Sequence, residues 1–300
     1  MKTIKHPQIA AYYFPNYHID KRNQRVHGPG WTEWELVKRA RPRFAGHQQP
    51  RIPLWGCENE ADPTVMRRKI DTALKFGLDA FVFDWYCYED GLFLEQALEK
   101  GFMPAAAGTN FKFALMWANH DWTDIHPWRA GTPKTVLYPG AISDTAFDRM
   151  TDYVIEKYFR HPNYWAIDGK PYFSIYNLNG LENPELLLRF RDKAVRAGFP
   201  GIHINAILQE ESILPGENGN AAADRLIEAG YFDSVTSYIW LHHCRLDRFP
   251  VTPYRKVMNS YFEFYRNARA QYHLPYYPNV TVGWDNPRLL RNTAIRTPRS

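Results

Sequence analysis

Apolar and polar positions alternate along this chain in a repeating order. Seven strand-length apolar runs occur, at 9–14, 78–83, 111–117, 171–176, 202–208, 234–240 and 279–284. Most give way at their ends to polar or aromatic residues, and segments with helical spacing lie between them. The clearest run, LDAFVF at 78–83, follows Gly77 and stops at Asp84, before Trp85, Tyr86 and Tyr88. An apolar run of this length fits a strand covered on both faces, as in a parallel sheet.

The intervening segments carry start and stop signals. Asp62 precedes Pro63 and predicts a helix to Lys75, with Gly77 closing it. Further helices are expected around 92–100, at 144–159 with Ser143 as cap, at 184–197 before Gly198, at 221–229 before Gly230, and at 254–272. Alternation of this kind implies parallel strands joined by right-handed crossovers. Seven β-then-α units predict an α/β fold, a (β/α)8 TIM barrel without its eighth βα unit, in a single domain over 1–300 that is C-terminally incomplete. A doubly wound sheet is the alternative. It lacks its usual signal here, because Pro15, Asn16 and Tyr17 follow the first run where a Gly-rich phosphate loop would sit.

In a barrel the strand exits open on one face, so residues distant in sequence converge. The expected set is Tyr13, Asp84, Trp85, Tyr86, Trp117, Asn119, Asp121, Tyr176, Tyr238, His242, His243, Trp284 and Asp285. Together they describe an aromatic cup with a few carboxylates. Rings cover the apolar faces of sugars, and carboxylates move protons or face an oxocarbenium-like centre. Asp84, Asp121 and Asp285 each have a plain alternative as a cap, pair or turn residue. His242 and His243 are adjacent in a strand exit and point to opposite sides, which disfavours a shared metal ion. Between the first strand and the first helix lies a long segment containing GPGWTEWE at 28–35. Glu33 there either faces substrate or opens a short helix, for which Thr32 and Glu35 have capping-box spacing.

Composition narrows the function classes. Aromatic residues make up 16% of the 300 residues, including 10 Trp and 19 Tyr, which suits either ring-based ligand binding or a large aromatic core. The net charge of +5 is not gathered into basic runs, so nucleic acid is not indicated as a partner. Three dispersed cysteines, Cys57, Cys87 and Cys244, show no zinc or redox spacing and indicate a reducing compartment. No secretory h-region precedes Ile9, and no apolar stretch reaches the ~18 residues of a membrane span, so a cytoplasmic location is expected.

A set of blocks then stands out in order: Tyr12-Tyr13-Phe14-Pro15-Asn16-Tyr17-His18, Gly30-Trp31-Thr32-Glu33-Trp34, Gly46-His47-Gln48-Gln49-Pro50, Phe83-Asp84-Trp85-Tyr86, Trp117-Ala118-Asn119-His120-Asp121-Trp122 and Gly283-Trp284-Asp285. They cover nearly the whole chain and resemble the WbsX-like group, related to family 99 glycoside hydrolases. The resemblance implies a (β/α)8 barrel acting on glycans, in kinship with endo-acting α-mannosidases and mannanases. It implies a retaining, metal-independent glycosidase of α-linked glycans with no cofactor. The alternatives are a glycosyltransferase of polysaccharide or O-antigen synthesis, the label members first carried, and a non-catalytic glycan-binding barrel.

Two departures qualify the resemblance. The family's late motif, Asn-Glu-Trp-x-Glu-Gly, holds its catalytic carboxylates and does not occur here, so that pair is expected beyond Ser300. Glu33, Asp84, Asp121 and Asp285 are then expected to bind and orient the sugar. Asn119-His120-Asp121-Trp122 also replaces a frequent Asn-Glu-Asn-Trp, so no mannose preference is carried over.

Overall fold

The computed structural model describes residues 7–42, 44–124, 135–210, 222–245 and 252–282. Seven strands form one parallel sheet in chain order: β1 (Ala10–Tyr13), β2 (Ala80–Tyr88), β3 (Lys112–Trp117), β4 (Lys170–Ile175), β5 (His203–Leu208), β6 (Ser234–Ser237) and β7 (Tyr276–Tyr277). Every neighbouring pair along this path is parallel. Two short antiparallel strands decorate it, Gly91–Phe93 on β2 and Ala166–Ile167 on β4.

The helices begin and end where local chemistry directs. Asp62 accepts a hydrogen bond from the Thr64 amide and starts α1 (Pro63–Lys75), with Pro63 at its first turn. Ser143 caps α2 (Asp144–Tyr153) by accepting from the Ala146 amide, and a π-helical turn continues it over Val154–Phe159. α3 (Glu185–Arg196), α4 (Ala223–Glu228) and α5 (Tyr254–Gln271) follow. The segment expected to be helical from residue 92 begins as a strand, and its helix runs only from Ala97 to Ala106.

The sheet is curled. Asp84 on β2 and Tyr238 just past β6 are separated by four strand spacings, which on a flat sheet is about 19 Å. Their side chains nonetheless meet, with the Tyr238 hydroxyl 2.7 Å from Asp84 Oδ2. Tyr12 of β1 also packs edge-on against Tyr238, with ring centroids 4.7 Å apart. The architecture is an open half-barrel, an incomplete (β/α)8 barrel.

Period-two alternation sorts the strand residues into two faces. Outside, Phe81, Phe83, Phe102, Phe111 and Phe113 form one ring cluster, and α1 buries Met66, Ile70 and Ala73 in the same core. Inside, the row Asp84–Met116–Ser174–Asn205–Ser234 crosses five strands in register. This inner row is mostly polar and internally bonded. Asn205 donates to Ser174 Oγ at 3.0 Å, Ser234 donates to Asn205 Oδ1 at 2.9 Å, and His203 Nε2 lies 2.8 Å from Ser234 Oγ.

Two strand expectations need correction. β2 does not stop at Asp84 but runs on to Tyr88, because Trp85 pairs with Trp117 and Tyr86–Tyr88 pair with Gly91–Phe93. Asp84 therefore sits in mid-strand. The seventh strand lies at Tyr276–Tyr277, and 279–282, the described part of the expected 279–284 run, is not a strand. The Tyr276 hydroxyl bonds Ser237 Oγ at 2.6 Å and Tyr277 stacks on His203, whereas Val280 and Val282 are exposed. Among the described residues, no helix is long and apolar enough to cross a membrane.

Candidate functional site

The inner face of the half-barrel gathers a compact set of polar and aromatic side chains around Asp84. Tyr12, Tyr176 and Tyr238 meet edge to face, with Tyr176 and Tyr238 centroids 5.4 Å apart. His242 lies against both, at 6.1 Å from Tyr176 and 6.3 Å from Tyr238. Tyr86 continues the wall through His120, which bridges it to Tyr176 at 5.9 and 5.4 Å.

Asp84 is the electrostatic centre of this cup. It is buried, its Oδ2 accepts from Tyr238, and its Oδ1 has no hydrogen-bond partner among the described residues. Burial disfavours the ionised carboxyl and pushes its pKa up to about 7, with the Tyr238 hydrogen bond opposing. His242 is the complementary case. Both of its ring nitrogens are buried without a described partner, and burial, assisted by His243, pulls its pKa down to about 3. At neutral pH the cup thus holds an uncharged imidazole beside a carboxyl balanced between its two forms.

Glu33 borders the same region from the long first loop. It is buried, accepts from Asn16 Nδ2 at 2.5 Å, and its charge raises the Tyr86 phenol's pKa, after burial and nearer groups. It directly precedes the short helix Trp34–Lys38 but makes no side-chain cap there. Glu35, one residue into that helix, pairs with Lys38 at 3.0 Å instead of completing a capping box.

Several expected cup residues lie elsewhere. Tyr13 and Trp117 end their strands and Trp85 lies within β2, but alternation turns all three to the outer face. Tyr13 bonds Glu60 at 2.5 Å, the Trp85 indole donates to the Tyr158 hydroxyl at 3.2 Å, and Trp117 packs on Phe147. Asn119 ties two strand exits together, donating to the Asn177 carbonyl and accepting from its amide, both at 2.7 Å. Asp121 accepts from the Gly140 amide at 2.8 Å, beside the antiparallel pair Trp122–Asp124 and Thr135–Tyr138. His243 points away from His242, placing Nε2 2.8 Å from Ser237 Oγ and its ring on Phe264 at 3.6 Å. Trp284 and Asp285 lie outside the described residues.

Of the expected set, Asp84, Tyr86, Tyr176, Tyr238 and His242 come together, with Glu33 at their border. Tyr12 and His120 join them. Tyr12 could have been found from alternation, since it is two residues before the Phe14 exit and shares a face with Asp84. For His120 the only signal was its place in the strand exit.

The fold is shared with known enzymes. The endo-α-mannosidase of glycoside hydrolase family 99 from Bacteroides thetaiotaomicron, solved in complex with bis-tris-propane, aligns with 94% of this chain and 72% of its own, at 17% identity and a TM-score of 0.56. A protein described as glycoside hydrolase-like aligns with 93% of this chain and 72% of its own, at 18% identity and a TM-score of 0.56. In sequence, the uncharacterized protein WxcX of Xanthomonas campestris pv. campestris strain B100 is 29% identical over 286 residues, 93% of this chain. WxcX of strain ATCC 33913 is 28% identical over 293 residues. The chain spans about two fifths of the length of these curated relatives, 39% and 40%. The family model described as Glycosyltransferase WbsX matches residues 9–299, and the chain belongs to that family.

Proposed function

We propose that the protein is a glycoside hydrolase acting on an α-linked glycan, with the inner cup of the half-barrel as its sugar site. The observation that carries this reading is the grouping of Asp84, Tyr12, Tyr176, Tyr238 and His242 on the inner face of a barrel shared with an endo-α-mannosidase. Edge-on tyrosines offer both an apolar wall and hydroxyl tips, the combination a sugar ring needs. His242 supplies buried ring nitrogens and Asp84 a buried carboxyl that holds the Tyr238 hydroxyl, without a net cation. In this reading the described residues bind and orient the sugar, and proton transfer is assigned to none of them.

The test is incubation of the full-length protein with α-mannan and pectic oligosaccharides. New reducing ends on one of them are the expected result. Their absence on all, together with release of nucleotide diphosphate from a nucleotide sugar, would replace hydrolysis with transfer, the activity in the matching family's description.

A further inference from the structure

Tyr238 is the cup residue tied directly to Asp84. Its hydroxyl donates to Asp84 Oδ2 at 2.7 Å, and the residue as a whole is only partly buried, flanked by Tyr12 and Tyr176. A phenol has one proton to donate and lone pairs to accept with. An ionised carboxylate can only accept, so a partnered Tyr238 has no proton left for a ligand. Its oxygen then faces any ligand as an acceptor, strengthened by the neighbouring carboxylate.

We infer that Asp84 is a positioning residue that acts through Tyr238, fixing the phenol so that its oxygen accepts a hydrogen bond from a sugar hydroxyl in the cup. This rests on the glycan reading of the cup. Asp84 itself is buried, its free Oδ1 included, so its influence on a ligand passes through the tyrosine. The groups acting on Tyr238 are Asp84, Tyr86 and Tyr176, His242 lies against its ring, and Asp84 in turn acts on Tyr12. Tyr12, Tyr86 and Tyr238 hold their protons through neutral pH and His242 stays uncharged, so among these groups Asp84 is the one that titrates there. Protonating Asp84 gives the carboxyl a proton of its own and lets the pair reverse, freeing the Tyr238 hydroxyl to donate instead.

The experiment uses full-length protein labelled at the tyrosine ζ-carbon. The Tyr238 signal is assigned by its loss in Tyr238→Phe and followed by NMR across pH. In parallel, affinity for an α-mannan oligosaccharide is measured calorimetrically for wild type, Tyr238→Phe, Asp84→Leu, Asp84→Asn and the Tyr238→Phe/Asp84→Leu double variant. The Tyr238 signal should move through a step near pH 7, and Asp84→Leu should remove that step. Tyr238→Phe and Asp84→Leu should each weaken binding on the order of tenfold, with no further loss in the double variant. Asp84→Asn keeps an acceptor oxygen and should recover part of the loss. A Tyr238 signal indifferent to Asp84→Leu would overturn the proposal, as would losses that add in the double variant. An intact NMR step with no oligosaccharide binding by wild type would uphold the hydrogen-bonded pair and overturn the glycan assignment of the cup.

Discussion

Asp84 should make the protein less stable as pH rises, and replacing it should reveal by how much. Its pKa stands at about 7 in the fold against an ordinary carboxyl value of 3.8, a rise of roughly three on the pH scale caused by burial. The sign follows from proton counting. Between those two values the folded state holds a proton that the unfolded chain has released, so stability falls as pH rises through that window. Below pH 3.8 the group exerts no such effect, and above 7 the loss is complete. Three units at about 1.4 kcal/mol each set a ceiling of about 4 kcal/mol. Relaxation around the charge and residual structure in the unfolded chain reduce this, so a measured difference of about 2–4 kcal/mol is expected. Asn has nearly the same shape and no charge. Urea unfolding of Asp84→Asn and wild type at pH 4, 6 and 8 should therefore show a gap that widens with pH in favour of the variant. A gap of constant size, or one that narrows with rising pH, would refute the assignment of Asp84 as a buried, electrostatically uncompensated carboxyl. Such a cost at the centre of a cup is the pattern expected of a group kept for function rather than for packing.

Other outcomes follow from the same structure. His242 has its pKa pulled down to about 3, so the unfolded chain takes up a proton first as pH falls, and the histidine destabilises the fold between its ordinary value of 6.5 and 3. His242→Gln should flatten the decline of Tm over that range, a slope opposite in sense to that of Asp84; an unchanged acid limb would count against a buried neutral His242. Gly101 is pressed against the chain, where an added Cβ would lie 2.0 Å from the Glu60 carbonyl oxygen. Gly101→Ala should cost at least about 2 kcal/mol in urea unfolding, and wild-type stability would show that this packing yields more easily than the geometry implies. Phe113, fully buried between Phe83, Phe102, Tyr158 and Tyr164, should cost about 3–5 kcal/mol as Phe113→Ala, read as a fall in the unfolding midpoint at constant slope.

The order of the elements was legible because each strand is an apolar run set apart from its helix by punctuation such as Gly77, Asp62 and Ser143. What misled was the reading of strand ends. Asp84 looks like a terminus because a charge interrupts an apolar run, yet a curled sheet has a polar inner face that tolerates a carboxyl in mid-strand. NVTVGW at 279–284 has the β-branched residues of a strand, but the pairing at Tyr276–Tyr277 is chosen by contacts to Ser237 and His203, which no local pattern announces. The cup was half legible for a related reason. Alternation separates Tyr12 from Tyr13 and Asp84 from Trp85, whereas His242 and His243 are adjacent in the 3-10 turn Trp240–His243, which sends neighbours to different sides without any strand pleat. Being near an exit places a residue at the right end of the sheet, and only its parity places it on the right side. The commitments of Asn119 and Asp121 to the backbone were invisible, because the Asn177 and Gly140 groups they hold are 58 and 19 residues away.

The outer phenylalanine layer has a consequence for how this protein can change. Much of the cohesion resides in outer rings and aliphatic side chains that no ligand in the cup would touch, while recognition would reside in the inner polar groups. A lineage could therefore exchange one set of inner groups for another and keep the same shell. Damage in a saturation library should separate along the same boundary, with outward positions failing as lost protein and inward positions surviving with altered ligand binding.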